Sequence, residues 1–245
     1  VDGFGVSSFS LTPDHAIDLA WRLGLRLRWL MDDACGGASG LNMLQHAVRA
    51  IEGGDAETIV LCAGDQLGRE AFRTLVDHYN RATRDYLRPL PFGGPNSTFA
   101  FLTERHARAN GLGREDYACV SLAQRAWAGR NPGAVYRTPL TLEEYLAAPL
   151  LAPPLCRYDC VPVVAGADAI VLSAARRRRG PATRVRALRA LHNPDDQEGG
   201  ALRSGFAELA DDLWAAAAAR PEDIDAAYLY DDYPVMVAIE AVDLG

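Results

Sequence analysis

The chain of 245 residues is 49% hydrophobic and 23% charged, and its formal net charge is −7. A chain of this size and apolar content can bury an ordinary globular core, which excludes a disordered protein. The negative charge gives no general attraction to nucleic acid or anionic lipid. No apolar run approaches the roughly 18 to 20 residues of a membrane span, and no leader pattern opens the chain, so we expect a cytoplasmic protein.

The first 65 residues alternate between strand and helix patterns. The predicted elements are a strand or loop at residues 4–9, a helix at 13–23 entered through Thr12 or Asp14, a strand at 25–31, a helix at 41–52 closed by Gly53-Gly54, and a strand at 58–63. This alternation is typical of βαβ units. It predicts an α/β fold with a mostly parallel sheet and helices on both faces.

From about residue 66 to residue 155 the pattern changes to helical pieces joined by turns rich in proline and glycine. These pieces lie at residues 70–80, 98–110, 116–128 and 141–147. So long an excursion between two strands is uncommon in a compact domain unless it covers a site. We therefore expect a helical cap inserted into the first half of the fold.

A second βαβ pattern follows a buried strand at residues 167–172. Its predicted elements are a strand at residues 184–191, a helix at 202–219, a strand at 226–230 and a helix at 234–244. We expect an N-terminal half over residues 1–175 and the start of a similar C-terminal half over residues 182–245. Val1 is not an initiator methionine, and Gly245 suits a residue that ends a helix, so the chain is expected to be a fragment lacking both ends.

A turn between the strand at residues 25–31 and the helix at residues 41–52 has the form of an active site. Two carboxylates end the strand, and small residues then lead into the helix: Cys35, Gly36, Gly37, Ala38 and Ser39. Glycine lets a ligand approach the backbone, and the first N–H groups of a helix can face an oxyanion. We expect the four residues after Cys35 to contact substrate oxygen, with Cys35 as the candidate nucleophile. The alternative is a tight turn carrying a buried structural thiol.

The remaining reactive side chains give no cofactor signal. The five cysteines are odd in number and scattered, which favours reduced thiols over a disulfide framework. The five histidines are dispersed, and no pair has metal-ligand spacing. No Gly-x-Gly-x-x-Gly follows a predicted strand. We therefore predict neither a metal nor a nicotinamide cofactor.

Six short motifs in a particular order carry a family resemblance. They are Val1-Asp2-Gly3, Gly36-Gly37-Ala38-Ser39-Gly40, Gly53-Gly54-Asp55-Ala56, Asn131-Pro132, Val164-Ala165-Gly166-Ala167-Asp168-Ala169 and Tyr230-Asp231-Asp232-Tyr233-Pro234. With the two βαβ patterns, they make the chain resemble the thiolase superfamily, in the branch of sterol-carrier-protein-x and lipid-transfer-protein-like proteins. The resemblance implies a thiolase-like fold that lacks here its first strand and helix and its last catalytic loops, which carry a Gly-His-Pro motif and a second cysteine.

The position of the nucleophile departs from this family. In members with thiolase activity the cysteine stands at a fixed distance before the Gly-Gly pair that ends the buried helix. Counting back from Gly53-Gly54, that place falls on Gly37, and Cys35 lies two residues earlier. Two residues displace a side chain by roughly 6 to 7 Å, whereas an attacking sulfur must lie about 3 Å from its carbonyl. Only a local shift of the turn would restore Cys35 as a nucleophile.

The second departure lies at Tyr230. In the sterol-carrier-protein-x thiolases the equivalent segment reads His-Asp-Cys-Phe-Ser, and its histidine helps to bind the thioester oxygen. A phenol can donate a hydrogen bond to an oxyanion, and a tyrosine of lowered pKa can accept a proton. We expect Tyr230 to act as acid or base, with Tyr233 as second candidate; the alternative is a packing residue with a wet hydroxyl. Asp231 and Asp232 are expected to cap the helix that begins near Pro234.

A missing cysteine and a gained tyrosine resemble the thiolase-like aldolases that cleave the side chain of steroid-CoA thioesters. The resemblance implies a lyase that breaks the Cα–Cβ bond of a β-hydroxyacyl-CoA without an acyl-enzyme, in lipid or steroid degradation. A coenzyme A thioester would be its substrate. Two alternatives stay open. One is an acetyl-CoA acyltransferase using Cys35, and the other is a catalytically degenerate lipid- or acyl-binding subunit.

The same resemblance implies partners. Members of this fold dimerise through the strand that corresponds to residues 25–31, and many in this branch bind an OB-fold, zinc-ribbon protein that helps to hold CoA. No nucleic acid or membrane partner is expected. Three arginines between the predicted halves are candidates for the phosphates of CoA, or else a solvated linker. They are Arg176, Arg177 and Arg178.

Overall fold

The computed structural model describes residues 1–90, 93–177, 179–193 and 202–245. These residues form two compact units. The first contains Val1–Leu75 and Val163–Ala190, and the second contains Val76–Pro162 and Leu191–Gly245. The predicted division into halves at residues 175–182 stays a prediction. In the described part of the chain, every helix is too short or too polar to cross a bilayer.

Helices and strands alternate at the start of the chain, and helices dominate after β3. The α-helices of the described residues are α1 (Ala16–Arg22), α2 (Ser39–Gly53), α3 (Arg69–Asp77), α4 (Pro95–Asn110), α5 (Arg114–Arg130), α6 (Leu142–Ala147), α7 (Phe206–Ala217) and α8 (Pro234–Leu244). The strands are β1 (Gly3–Ser7), β2 (Trp29–Asp32), β3 (Thr58–Asp65), β4 (Leu150–Ala152), β5 (Leu155–Cys156) and β6 (Gly166–Ser173).

The first unit is built on a four-stranded sheet in the order β2-β1-β3-β6. β1 is parallel to both of its neighbours, and the register places Gly3 between Trp29 and Ile59. β6 is antiparallel to β3, with Ser173 opposite Thr58. The sheet is therefore mixed and mostly parallel, as the βαβ pattern predicts.

Helix α2 covers this sheet and ends where the sequence predicts. Its Met43 side chain is buried together with Ile59 and Leu61 of β3. The last helical residue is Gly53, and Gly54 follows in the left-handed region with a φ of 82°. Glycine adopts this conformation without a steric penalty, so it ends the helix cleanly.

The second unit is mostly helical. Helix α8 packs against α4, α5 and α7. Its Val235 and Ile239 side chains are buried with Tyr117 of α5 and Leu155 of β5. The four helices predicted for residues 66–155 are present as α3 to α6, whereas the short hairpin β4–β5 is not among the predicted elements.

The predicted start of the first helix is wrong. Helix α1 begins at Ala16 after His15, and not through Thr12 or Asp14. The side chain of Asp18 accepts a hydrogen bond from the N–H of His15 at 2.9 Å. This bond satisfies the backbone donor of His15, which is the N-cap residue, and the helix therefore begins directly after it.

Strand β2 is shorter than the predicted strand at residues 25–31. The N–H of Leu25 donates to the carbonyl of Ala20 at 2.9 Å, which closes the turn after α1. Pairing with β1 begins only at Trp29. Leu25 and Leu27 contribute to the core by packing, without joining the ladder.

The two strands predicted for the second βαβ pattern are wrong. Residues 184–191 and 226–230 are not in strands, and neither segment pairs with a strand of the described residues. Val185 is 41% exposed and Tyr228 is 98% exposed. An alternating pattern favours an extended chain, but a strand needs a neighbour for its N–H and C=O groups. Only the helices of this pattern, α7 and α8, are formed.

The close approach of β3 to β6 gives a stability test. A Cβ atom at Gly64 would lie 2.8 Å from the Cα of Ala167 and 2.9 Å from the carbonyl oxygen of Gly166. Because these backbone atoms cannot move aside, we expect Gly64→Ala to lower the free energy of unfolding by about 1–3 kcal/mol. Gly166→Ala is the matched control, since a Cβ there meets open space. Equal urea midpoints for the two variants would contradict this account.

Candidate active site

The predicted turn lies between β2 and α2 in the first unit. Residues Gly36–Ala38 form one 3₁₀ turn, and α2 begins directly after them at Ser39. Gly36 has a φ of 64°, a left-handed conformation that a residue with a side chain rarely adopts. Glycine at position 36 is therefore needed for the sharp change of direction from strand to helix.

A buried carboxylate organises this turn. Asp33 is 8% exposed, and its carboxylate accepts hydrogen bonds from the N–H of Cys35 at 2.9 Å and from the side-chain amide of Asn42. Its own N–H donates to the carbonyl of Val6 in β1. Burial opposes its ionisation, but the nearby hydroxyl of Ser39 and the hydrogen bonds from Cys35 and Asn42 outweigh burial and lower the pKa of Asp33. Asp33 is therefore a charged group at the start of α2.

The charge of Asp33 acts directly on Cys35. The thiol of Cys35 is exposed, so the alternative of a buried structural thiol is wrong. The negative charge of Asp33 raises the pKa of Cys35, and a small desolvation effect adds to it. A thiolate is the reactive form of cysteine. The surroundings of Cys35 therefore work against a nucleophilic role.

Some backbone N–H groups of the predicted oxyanion site already donate hydrogen bonds within the turn. The N–H of Cys35 donates to Asp33, and the N–H of Ser39 donates to the carbonyl of Gly36. The hydroxyl of Ser39 is buried near Asp33 without a hydrogen bond of standard geometry. Fewer backbone donors than predicted are therefore left for a substrate oxygen.

Tyr230 lies in the second unit, in the segment before α8. Its side chain is 51% exposed, and its N–H donates to the carboxylate of Glu240 at 2.9 Å. Partial burial, and after it the negative charge of Asp232, raise the pKa of Tyr230. The phenol therefore stays protonated at neutral pH. It can donate a hydrogen bond or a proton, whereas the lowered pKa that a tyrosine base needs is not found.

Tyr233 has a different environment from Tyr230. It is 5% exposed, its ring stacks on Phe99 with the ring centres 4.1 Å apart, and its hydroxyl donates to Asn96 at 2.5 Å. Burial raises its pKa. Core packing and one hydrogen bond account for this residue, so Tyr230 is the more accessible of the two candidates.

The two aspartates between these tyrosines do not cap α8 as predicted. The N-cap residue is Tyr233, without a side-chain hydrogen bond. Asp231 accepts a hydrogen bond from the amide of Gln124 at 2.7 Å, and Asp232 accepts one from the N–H of Tyr233 at 2.9 Å. Burial raises the pKa of Asp232 to about 6. Asp232 is thus a carboxyl group that changes its charge near neutral pH.

The arginines predicted to bind phosphate have a partner within the first unit. Arg176 and Arg177 both form ion pairs with the carboxylate of Glu57. Arg178 lies outside the described residues. A phosphate at this place would have to compete with Glu57 for both guanidinium groups.

Comparison with known proteins shows which proteins this chain resembles. No family model matches the chain. The chain is 26% identical over 261 residues to 17-hydroxy-3-oxo-4-pregnene-20-carboxyl-CoA lyase of Mycobacterium tuberculosis, covering 98% of this chain and 67% of the relative. It is also 26% identical over 269 residues to a steroid side-chain-cleaving aldolase of Thermomonospora curvata, covering 98% and 66%. The chain thus spans about two thirds of the length of these relatives.

Two solved structures have a similar fold. One is described as an Ltp2-ChsH2(DUF35) aldolase and superposes with a TM-score of 0.81 at 25% identity, covering all of this chain and 66% of that chain. The chain has a thiolase-like fold and is similar to proteins of the SCP2-thiolase and Ltp2 branch. A second structure, a monomeric SCP2-thiolase-like protein type 1 from Mycobacterium smegmatis, has a TM-score of 0.69 at 14% identity, covering all of this chain and 54% of that chain. It supports the fold of the thiolase-like protein.

Three polar residues of this thiolase-like protein have a role in the candidate site that the sequence did not predict. They are Asp33, Asn42 and Glu240. Asp33 is visible in the sequence as one of two carboxylates before the turn, but only the structure shows that it binds the turn. Glu240 is visible as the one charged residue between Pro234 and Ala241. In the described residues, no group of three or more His, Cys, Asp or Glu side chains is arranged to hold a metal ion.

The effect of Asp33 on Cys35 can be measured with the Asp33→Asn variant. Removing the charge lowers the pKa of Cys35, so we expect Cys35 to react with iodoacetamide at least about twofold faster near pH 8. Asp32→Asn is the matched control, because it removes the adjacent carboxylate, which does not contact Cys35. Mass spectrometry of the Cys35 peptide gives the rate, with exposed Cys119 as internal reference. An unchanged rate in Asp33→Asn would show that Asp33 has no influence on this thiol.

Proposed function

We propose that this thiolase-like protein cleaves a carbon–carbon bond of a β-hydroxyacyl-CoA by a retro-aldol reaction, without an acyl-enzyme. The observation that carries the proposal is the buried carboxylate of Asp33 beside Cys35, because it disfavours the thiolate that acyl transfer requires. The position of Gly37, where thiolases have their cysteine, points the same way. Relatives at 26% identity are a steroid-CoA lyase and a steroid side-chain aldolase.

The reaction needs a proton acceptor and a donor to the thioester oxygen. A base takes the proton of the β-hydroxyl, the Cα–Cβ bond breaks to give a ketone, and its electron pair forms the enolate of the shortened CoA thioester. Protonation of that enolate gives the second product. Atoms and charge balance without a thiol, an oxidant or a covalent intermediate.

The tyrosine segment supplies both kinds of group. We assign Tyr230 as the hydrogen-bond donor to the enolate oxygen, because its raised pKa keeps the phenol protonated. We assign Asp232 as the proton acceptor, because a carboxyl group with a pKa of about 6 is ionised at neutral pH and still basic enough to take a proton.

The assembly of the protein belongs to the same proposal. β2 is an edge strand of the sheet, and an edge strand carries unpaired N–H and C=O groups that a second copy can use. We propose a homodimer formed through β2. The similar solved structure named Ltp2-ChsH2(DUF35) aldolase supports a second partner of the DUF35 type. The family resemblance implies that such a partner is an OB-fold, zinc-ribbon protein that helps to hold CoA.

Substitution of three residues tests the reaction, with 17-hydroxy-3-oxo-4-pregnene-20-carboxyl-CoA as substrate and chromatography of the ketone and acyl-CoA products. We expect Tyr230→Phe and Asp232→Asn to lower kcat by about 100-fold or more. Cys35→Ala should leave kcat within about twofold, because no step passes through the thiol. Loss of turnover in Cys35→Ala, together with an acyl adduct on Cys35, would favour acyl transfer. Binding of the thioester without turnover in any variant would favour a binding subunit.

Co-expression with a DUF35 protein tests the assembly. We expect the two chains to elute together, and light scattering to give a mass that contains two copies of this chain. Substitution of Leu30 in β2 by proline removes one N–H from the edge of the sheet and should convert the assembly to one copy. Separate elution of the two proteins at micromolar concentration would rule out the DUF35 partner, and a monomer mass would rule out the dimer.

A further inference from the structure

Helix α8 contains a buried carboxylate in an apolar sequence. Glu240 is 7% exposed, and it follows the buried Ile239 on a helix whose preceding residues are almost all hydrophobic. A buried carboxylate is costly unless hydrogen bonds or opposite charges compensate for it. Such a residue in the middle of an apolar helix therefore needs a structural or functional reason.

The backbone of Tyr230 compensates for part of this cost; burial, with the negative charges of Asp232 and Asp231, still raises the pKa of Glu240. The Oε2 atom of Glu240 accepts the N–H of Tyr230 at 2.9 Å. Among the described residues, no arginine forms an ion pair with Glu240. Hydrogen bonds from N–H groups to a carboxylate are stronger than those to neutral acceptors, and burial strengthens them further. This single bond therefore joins the segment before the helix to the second turn of the helix.

The bond acts at the residue whose side chain reaches solvent. The ring of Tyr230 is half exposed, whereas Tyr233, three residues later, is buried and bound to Asn96. Residues 226–230 form no strand, so no sheet ladder fixes the main chain at Tyr230. Instead, the N–H of Tyr230 donates one hydrogen bond to Glu240 on helix α8.

We propose that Glu240 is a positioning residue, whose buried carboxylate fixes the main chain of Tyr230 and thereby the point at which the exposed phenol meets the CoA thioester. The inference rests on the proposed function, which makes Tyr230 a donor to the substrate. The hydrogen bond itself can be tested without any substrate. A buried anchor of this kind holds a side chain on a loop within the narrow geometry that a reaction needs.

Amide hydrogen exchange measured by NMR tests the anchor. In Glu240→Leu the acceptor is lost, and we expect the amide of Tyr230 to exchange at least about tenfold faster. In Glu240→Gln a side-chain oxygen can still accept the bond, so exchange should stay within about threefold of the original protein. Glu208→Gln, at an exposed position of α7, is the control and should change nothing. Unchanged exchange in Glu240→Leu would overturn the proposal.

Turnover of the same steroid-CoA thioester tests the consequence. We expect Glu240→Leu to lower kcat by about tenfold or more with a smaller change in KM, and Glu240→Gln to restore most of it. The groups that raise the pKa of Tyr230 are Asp232, Tyr79, Asp231 and Glu240. Removing the charge of Glu240 lowers that pKa, so the alkaline limb of the kcat profile should move to lower pH in Glu240→Gln. This shift reports the charge of Glu240 on Tyr230, whereas a fall in kcat with a smaller change in KM, restored by Glu240→Gln, reports the positioning.

The variant Tyr230→Phe separates the two proposals. If it keeps full activity, the proposed role of Tyr230 in the reaction fails, and the exchange result still decides whether Glu240 anchors the backbone. If it is inactive while Glu240→Leu has normal kcat and a normal pH profile, the positioning role alone fails. Loss of activity in both variants, with rescue by Glu240→Gln, supports both proposals.

Discussion

The carboxylate of Asp33 connects the sheet, the turn and the helix of the first unit. Its main chain extends the pairing of β2 with β1, and its side chain binds Cys35 in the turn and Asn42 in the first turn of α2. Because this carboxylate is buried and charged, breaking its hydrogen bonds costs a large amount of free energy. The position of α2 relative to β2, and the chemistry available at its start, therefore both depend on this one side chain.

The sequence predicts the elements that local patterns determine and fails where distant pairing decides. Helix α8 and the end of α2 at Gly53 follow the expected bounds, because a proline, a glycine and an apolar period mark them. The strands predicted at residues 184–191 and 226–230 do not form, since their pattern contains no information about a neighbouring strand. Counting back from Gly53-Gly54 in the sequence finds that Gly37 stands where thiolases have their cysteine. The hydrogen bonds of Asp33 form only in the folded chain and have no sequence pattern.

The same physical device occurs in both candidate segments. Asp33 and Glu240 are each buried, and each accepts a hydrogen bond from a backbone N–H in an irregular segment. Cys35 and Tyr230, the residues whose N–H groups are bound in this way, both have exposed side chains. A carboxylate of this kind supplies the rigidity that a strand or helix would otherwise give. Sequence patterns indicate the exposed Cys35 and Tyr230 more readily than the buried carboxylates that bind their N–H groups.

The antiparallel direction of β6 determines where Arg176 and Arg177, which follow this strand, lie. Ser173 at the end of β6 is opposite Thr58 at the start of β3, so the chain that follows emerges beside Glu57. The turn at Asp33 lies near Val6, whose partner in β3 is Cys62. Five residues along a strand correspond to about 16 Å. A single ligand that contacted both the arginines beside Glu57 and the turn at Asp33 would have to be long and to lie along the strands. Its charged end and its reacting end would then lie at opposite ends of the strands.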